Sequence, residues 1–320
     1  MHYDVFNGDA DGIIALIQLR LAHPKESILV TGVKRDIKLL SKIVDKGDVT
    51  SVTTLDISME KNLPSLTALL EQGVEVFYCD HHRSGEIPQS SKLTTLIDLD
   101  AEVCTSLLIN NKLNGKHAKW AVAGAFGDNL FTSAEKLAAE IGLSPEDTDF
   151  LKQLGTLINY NGYGADLDDL HIPPAELYKM LVEYPCPLQL RDDLSSPFYT
   201  LQKGYESDHA KVEKLVAISD SNAARVFELP AEAWARRISG VFGNELANQS
   251  PDIAHAVLTL NPGEQDYTVS VRAPLSNRVG ADEICSSFPT GGGRKAAAGI
   301  NKLPTAEKVE FIEALNNFYQ

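Results

Sequence analysis

Acidic residues and histidines follow several apolar runs of the sequence, and their types suit the binding of divalent metal ions. The groups are Asp9 and Asp11 in "NGDADG", Asp56 in "VTTLD", the triplet Asp80, His81 and His82 in "CDHHR", and Asp128 in "GAFGDN". Carboxylates combined with imidazoles are the ligands of borderline-hard divalent ions such as Mn²⁺. The sequence therefore predicts a metal site.

The number of candidate ligands indicates the chemistry of that site. Asp9, Asp11, Asp56, His81 and Asp128 are more groups than one ion with open positions needs. We therefore predict two Mn²⁺ ions that share a bridging carboxylate, with Mg²⁺ or Co²⁺ as alternatives. Paired ions activate a water and stabilise the attacking and leaving oxygens in displacement at phosphorus, so the pattern favours hydrolysis of a phosphoester or phosphoanhydride. A surface turn is the alternative for "NGDADG" alone, because Asn, Gly and Asp are turn formers.

Strands and helices alternate over the first part of the chain. The predicted strands are 2–6, 28–33, 52–57 and 74–80, and the predicted helices are 12–22, 36–44 and 62–73. This alternation is typical of a doubly wound α/β layer, in which a parallel sheet carries helices on both faces. Ligands of such sheets bind beyond the carboxyl ends of the strands, which is where the acids and histidines lie.

The rest of the chain predicts a helical connection followed by a smaller α/β domain. Residues 102–220 have a mostly helical pattern, with interruptions at 159–169 and 184–193. A second alternation starts near residue 224, with a helix over about 232–247 and strands at 253–260 and 267–273. We predict a catalytic domain over 1–215 and a substrate domain over 216–320. The segment "ISDSN" (218–222) has the composition of a linker or of a helix cap.

Composition limits the classes of protein and partner. The net charge of −15 disfavours a protein that grips long nucleic acid with its whole surface, because that affinity comes mostly from Lys and Arg. The sequence has no apolar run long enough to cross a membrane and no secretion signal, which predicts a cytoplasmic protein. The four cysteines form no CxxC pair, which indicates free thiols rather than a disulfide framework or a zinc site.

Taken together, the motifs resemble those of a known superfamily. "NGDADG", "LDIS", "DHH" and "GDN" are similar in order and spacing to the four motifs of the DHH phosphoesterases. "GGGRKAAAG" (291–299) resembles the glycine-rich signature of the DHH-associated substrate domain. The resemblance covers nearly the whole chain and implies a metal-dependent phosphoesterase.

The resemblance also implies a role for each motif residue. Asp9 would bind one ion, Asp11 the other, and Asp56 would bridge both, while His81 and Asp128 complete the second ion's ligands. His82 would face the substrate phosphate. Asp80 would support the histidines and fix their tautomers.

Three positions depart from the family pattern. Val5 stands where many small members have a metal-binding His, and Asn7 stands where other members have an acid. Asn7 is either a weak neutral ligand of the first ion or a plain turn residue. Arg294 stands where the family signature has His.

The C-terminal part of the chain contains candidates for substrate binding. Gly291, Gly292 and Gly293 precede small residues that we interpret as the start of a helix, and a glycine loop at a helix start exposes N–H groups to an anion. A flexible hinge is the alternative. Arg272, Arg294 and Lys295 belong to residues 271–300, which hold four basic and two acidic residues. A guanidinium such as that of Arg272 binds phosphate or carboxylate bidentately, and a surface salt bridge is its alternative role.

These features predict a phosphodiesterase that hydrolyses dinucleotides and other short oligonucleotides to nucleoside 5′-monophosphates. The alternatives within the class are a 3′-phosphoadenosine 5′-phosphate phosphatase, a cyclic-dinucleotide phosphodiesterase and a polyphosphatase. A RecJ-like exonuclease for long strands fits the charge less well. Outside the class, the chain would be a non-catalytic nucleotide-binding or metal-binding protein. The expected partner is a small nucleotide, with no long nucleic acid and no membrane, and either a monomer or a homodimer fits the sequence.

Overall fold

A computed structural model describes residues 1–320, which form two compact units. The first unit contains residues 1–162 and 166–203, and the second contains 163–165 and 204–320. The predicted domain boundary at 215/216 therefore lies on the C-terminal side of this division. No helix is both long and apolar enough to span a membrane.

The first unit is built on a five-stranded parallel sheet, which confirms the predicted fold class. Its strands are β1 (His2–Phe6), β2 (Ile28–Val30), β3 (Ser51–Leu55), β4 (Glu75–Asp80) and β5 (Leu93–Ile97). The order across the sheet is β2-β1-β3-β4-β5. The chain therefore reverses its direction of winding between β1 and β3, and the crevice at such a reversal is the usual ligand site of an open α/β sheet.

Alternating side chains of β1 show that both faces of this sheet are covered. Tyr3 and Val5 belong to a core that also contains Leu66 of helix α2 (Met59–Glu71). Asp4 points to the opposite face, where Arg20 of helix α1 (Ala10–Ala22) donates to it from Nε at 2.8 Å.

The predicted helix over 36–44 is wrong. Only Leu39–Lys42 is helical there, as a short 3-10 helix. The side chain of Asn62 donates to the carbonyl of Ile37 at 2.6 Å and accepts from the backbone N–H of Leu40 at 3.2 Å. These are backbone groups that a helix would use for its own hydrogen bonds, so a side chain from α2 replaces the helical ladder.

Helices make up the rest of the first unit and continue into the second. They are α3 (Thr105–Lys112), α4 (Ala118–Gly127), α5 (Phe131–Glu140), α6 (Pro145–Asn161), α7 (Pro174–Leu181), α8 (Gln189–Asp192) and α9 (Pro197–Val212), with a 3-10 turn at Leu167–Asp169. Helices α4 and α6 lie close together because Gly155 faces the backbone of Ala123, where a Cβ would come within 2.0 Å of the carbonyl oxygen. This close approach fixes the end of α4, which Asp128 follows.

The second unit contains a six-stranded mixed sheet in the order β10-β11-β9-β8-β7-β6. The strands are β6 (Ser219–Asp220), β7 (Ala224–Leu229), β8 (Ala254–Leu260), β9 (Asp266–Arg272), β10 (Gly291–Gly293) and β11 (Ala297–Pro304). Its helices are α10 (Ala233–Gln249), α11 (Ala281–Ser286) and α12 (Lys308–Tyr319), with a 3-10 turn at Thr305–Glu307. Strands β7 and β8 are parallel, and the other neighbours are antiparallel.

Two local predictions in this unit are wrong. The segment 218–222 is neither a linker nor a helix cap, because it forms the β6–β7 hairpin, in which the N–H of Ser221 donates to Ala224 at 3.0 Å. The small residues after Arg294 begin strand β11 rather than a helix. Their backbone pairs with β10 and β9 on its two sides, and this sheet pairing outweighs the helix propensity of alanine.

Candidate metal centre

The loops that follow β1, β3 and β4 are joined by backbone hydrogen bonds. The N–H of Asn7 donates to Leu55 at 3.2 Å, and the N–H of Asp56 donates to Cys79 at 3.0 Å. The parallel register, with Phe6 beside Leu55 and Leu55 beside Cys79, brings the three strand ends to one edge. The chain reversal between β1 and β3 therefore lies where the predicted acids are.

His81 faces three carboxylates. Its Nδ1 lies 2.8 Å from the carbonyl oxygen of Val103, and because a carbonyl only accepts, Nδ1 carries the proton. Its Nε2 lies 3.4 Å from Oδ1 of Asp56, 3.8 Å from Oδ2 of Asp128 and 3.9 Å from Oδ2 of Asp11. A histidine held in this tautomer by a backbone carbonyl is the usual arrangement of a metal ligand.

Asp11 is fixed by the beginning of helix α3. Its Oδ2 accepts from the N–H of Thr105 at 2.7 Å, and its Oδ1 accepts from the N–H of Ser106 at 2.7 Å. The hydroxyl of Ser106 donates to the Asp11 carbonyl at 3.0 Å. A helix N-terminus stabilises a carboxylate by its unpaired N–H groups and its dipole, so Asp11 is oriented by α3. Sequence analysis missed Thr105 and Ser106, which are separated from Asp11 by more than ninety residues.

Asp56 is the most strained acid of the group. It is buried and has φ of +58°, a conformation that few residues other than glycine adopt without cost. Burial raises the pKa of Asp56 well above its usual value, and the neighbouring charges of Asp9 and Asp11 raise it further. The Thr105 hydroxyl donates to its Oδ1 at 3.3 Å. Strain of this kind concentrates at functional sites.

His82 and Asp80 form a hydrogen-bonded pair beside Asp56. Nδ1 of His82 lies 2.7 Å from Oδ1 of Asp80 and 3.8 Å from Oδ1 of Asp56. Burial opposes ionisation of Asp80, but the charge and hydrogen bond of His82 outweigh it, so the pKa of Asp80 lies below its usual value. This contact is the geometry expected if Asp80 orients a histidine, and that role stays a prediction.

Asp9 has a partner that sequence analysis did not identify. Nζ of Lys34 lies 2.5 Å from Oδ2 of Asp9 and 2.9 Å from Oδ1 of Asn159. Burial opposes ionisation of Asp9, but the charge and hydrogen bond of Lys34 outweigh it and lower the pKa of Asp9 to about 2. Lys34 follows β2, the neighbour of β1, so the strand-end reasoning that selected the acids also applies to this lysine.

Two of the three positions that depart from the family pattern, Val5 and Asn7, have structural roles in the first unit. Val5 is a fully buried residue of β1. The Asn7 side chain accepts from the N–H of Asp9 at 3.3 Å and donates to the carbonyl of Lys34 at 3.3 Å. Both polar atoms of Asn7 therefore make hydrogen bonds that shape the loop, which favours the turn role over the ligand role.

The donor set fits a divalent ion. Asp56, His81 and His82 each offer a ligand atom, and these atoms lie within 4.8 Å of one another. Asp128, at the end of α4, and Asp11 add carboxylates near the same imidazole. Nitrogen and carboxylate donors together suit Mn²⁺ and related ions.

In the second unit, Arg272 is held in a fixed orientation. Its Nε donates to Oδ1 of Asn244 at 2.6 Å, and its Nη2 donates to the Gly240 carbonyl at 3.3 Å, both from helix α10. In the sheet it pairs with Ala297, which lies four residues after the last glycine of the predicted segment. Its alternative role as a surface salt bridge finds no support, since these partners are uncharged.

The glycines of the predicted substrate loop form the edge strand β10, which pairs only with β11. A Cβ at Gly291 would lie 1.7 Å from the carbonyl oxygen of Cys285, and one at Gly293 would lie 2.4 Å from Cα of Ala298. Close packing therefore requires glycine at both positions, which argues against a simple hinge. Arg294 and Lys295 form the β10–β11 turn, in which the N–H of Arg294 donates to Ala297 at 2.9 Å.

Several solved structures are similar to this chain. A manganese-bound exonuclease RecJ aligns with a TM-score of 0.63 and 16% identity, over 99% of this chain and 89% of its own. RecJ from Thermus thermophilus, in complex with Mn²⁺, gives 0.67 and 17% over 99% of this chain, which spans only 52% of that protein. The pGpG-specific phosphodiesterase PggH from Vibrio cholerae gives 0.56 and 12%, over 99% of this chain and 98% of its own. No protein-family model and no curated protein matches the sequence. The predicted resemblance is thus confirmed at the level of the fold.

Proposed function

We propose that the chain is a divalent-metal-dependent phosphodiesterase of the DHH type that hydrolyses short oligonucleotides to nucleoside 5′-monophosphates. The observation that carries the proposal is the orientation of His81, whose Nε2 faces Asp11, Asp56 and Asp128 at the chain reversal of the sheet. Support also comes from the fold, which is shared with RecJ structures bound to manganese and with a phosphodiesterase named for the dinucleotide pGpG.

The protein's own residues would hold and orient the reacting groups. Asp56, His81 and Asp128 are the proposed ligands, with Asp11 held in place by Thr105 and Ser106. A divalent ion bound there, which we propose to be Mn²⁺, would supply an activated water and neutralise charge on the phosphoryl oxygens. His82, whose side chain is 31% exposed, would donate to the substrate phosphate while Asp80 keeps its ring oriented.

Charge favours a short substrate. Each additional nucleotide adds a phosphate, and the chain carries a net charge of −15. Affinity for long strands depends on many Lys and Arg contacts to phosphate. Arg272 would bind one phosphate of a small substrate, because its guanidinium is oriented by neutral partners that leave its positive charge uncompensated.

The proposal is tested by a Mn²⁺-supported screen of the purified full chain. The substrates are a dinucleotide, a ten-residue strand, a cyclic dinucleotide, 3′-phosphoadenosine 5′-phosphate and polyphosphate. We expect kcat/KM for the dinucleotide to exceed that for the ten-residue strand by about tenfold or more, as a rough estimate from the loss of one or two favourable contacts.

Each substrate in the screen also tests an alternative. Faster cutting of the longer strand at physiological salt would contradict the proposal and favour the exonuclease. Preference for any of the other three substrates would favour the corresponding phosphatase or phosphodiesterase. No turnover of any substrate, with Mn²⁺ bound, would favour a non-catalytic nucleotide-binding or metal-binding protein.

A further inference from the structure

The candidate metal centre has different groups on its two sides: a lysine contacts Asp9, whereas carboxylates surround His81. A second ion there would need Asp9 as a ligand, together with groups near it. Lys34 donates to Asp9 at 2.5 Å and to Asn159 at 2.9 Å, so an ammonium occupies the position next to this carboxylate. Asp9 is buried, and the side chain of Lys34 is only 24% exposed.

Lys34 is held in place by its own backbone. Its N–H donates to the carbonyl of Gly162 at 2.8 Å, and its carbonyl accepts from the Asn7 side chain at 3.3 Å. Asn7 in turn accepts from the N–H of Asp9. The same loop contacts therefore fix the acid, the amide and the lysine together, and the ammonium is a built component of the site.

Apart from Asp56, which shares a hydrogen bond with Asp9, the groups near Asp9 do not make a second set of metal ligands. Val5 offers only an apolar side chain inside β1, and both polar atoms of the Asn7 side chain are used in the loop. A divalent ion on Asp9 would also lie close to a positive charge bound to the same carboxylate, and like charges repel strongly in a buried site.

We infer that Lys34 takes the place of the first ion, so that the centre holds one divalent ion, bound on the side of His81, instead of two. Lys34 neutralises Asp9 permanently. Asp56, His81 and Asp128 then bind the single ion, and the prediction of a two-ion site fails on the Asp9 side. This inference rests on the proposed function, because it specifies the metal content of the same site.

The experiment counts bound Mn²⁺ on the full chain by equilibrium dialysis and records its electron paramagnetic resonance spectrum. Asp56→Asn measures the background from the acidic surface, because it loses the proposed central ligand and keeps nearly the same overall charge. Above that background, we expect one Mn²⁺ per chain with the spectrum of an isolated ion. Two ions per chain with an exchange-coupled spectrum, as for ions about 3.5–4 Å apart, would overturn the inference.

Two variants test whether the contact between Lys34 and Asp9 is the reason that a second ion does not bind. Asp9→Asn should still bind one ion, since Asp9 is not its ligand, whereas loss of an ion would overturn the inference. Lys34→Ala should bind a second, weaker ion, since Asp9 then lacks the ammonium, and a count that stays at one would show that Lys34 does not exclude it. If a variant fails to fold, the number of Mn²⁺ ions bound to the wild-type chain still tests the inference. No bound ion above background in the wild type would instead contradict the proposed function.

Discussion

Replacement of Asp56 by asparagine should have opposite effects on the stability of the metal-free protein and on its activity. In the metal-free protein, Asp56 is buried among carboxylates and has φ of +58°. It also shares a side-chain hydrogen bond with Asp9. An amide keeps the size and one hydrogen-bonding oxygen without the charge, and asparagine is among the residues that best tolerate positive φ. We therefore expect Asp56→Asn to stabilise the metal-free fold while it abolishes turnover.

The magnitude follows from the contact between the two acids. Two ionised carboxylates in hydrogen-bond contact repel by several kcal/mol at an effective dielectric constant of about 20. The protein avoids part of this cost, because burial and the neighbouring charges raise the pKa of Asp56 and so favour its protonated form. The remaining gain for Asp56→Asn is about 1–2 kcal/mol, the range in which relief of a strained functional site commonly falls. The loss of an essential metal ligand should cost several kcal/mol in the barrier, or about a thousandfold or more in rate.

The assay combines urea unfolding in the presence of a chelator with Mn²⁺-supported turnover of a dinucleotide. Asp45→Asn is the matched control, because it makes the same substitution at an exposed position outside the site. We expect this control to change neither quantity appreciably. If Asp56→Asn retains more than about a tenth of wild-type turnover, its assignment as a central metal ligand is wrong. If the variant is less stable than the wild type without metal, the argument from crowded carboxylates is wrong.

Two further predictions concern other parts of the chain. Arg272→Ala should raise KM by about ten- to a hundredfold with Mn²⁺ binding unchanged, since a charged hydrogen-bond donor contributes about 1.5–3 kcal/mol. Unchanged kinetics, as expected for the control Arg225→Ala, would remove Arg272 from the site. Burial opposes ionisation of Asp4, but hydrogen bonds from His2 and Arg20 outweigh it and lower its pKa to about 2. Because this pKa is depressed from 3.8, the stability it contributes, about 2 kcal/mol, is present above pH 4 and is lost as the pH falls towards 2. Arg20→Met should therefore lose stability at pH 7 and show a shallower decline below pH 4 in urea unfolding, and parallel pH profiles would contradict this.

The sequence predicts the parts of the fold that depend on local pattern. Strands β1, β3 and β4 are buried on both faces, so each leaves an apolar run with acids at its end. Strand β5 has the sequence "LTTLI" (93–97) and is partly exposed, and its pattern gave no prediction. The segment 36–44 has helical periodicity, but the Asn62 side chain takes its backbone hydrogen bonds. A contact with a residue far along the chain cannot be deduced from local periodicity.

The difference between local pattern and long-range contact also explains which candidate site residues could be predicted from the sequence. Apart from Asp128, which follows helix α4, the acids and histidines lie at strand ends, so a general rule about parallel sheets identifies them. Thr105 and Ser106 hold the Asp11 carboxylate through backbone N–H groups, and their hydroxyls donate to Asp56 and to the Asp11 carbonyl. They are far from both acids along the chain, so no local pattern links them to the site. Lys34 also follows a strand, β2, but an ammonium group does not bind metal ions. A prediction based on metal ligands therefore does not include it.

The compensation of charge distinguishes structural acids from functional acids along the same sheet. Asp4, within β1, is neutralised by Arg20 of α1, and Asp9, beyond the end of β1, is neutralised by Lys34. For Asp56, the charges that dominate its pKa are those of carboxylates, and each of them raises it. The protein thus supplies cations for Asp4 and Asp9 and gathers the other acids around Nε2 of His81. Carboxylates collected in this way are stabilised by protonation or by a bound cation, so the distribution of lysine and arginine supports the proposed metal site as much as the acids do.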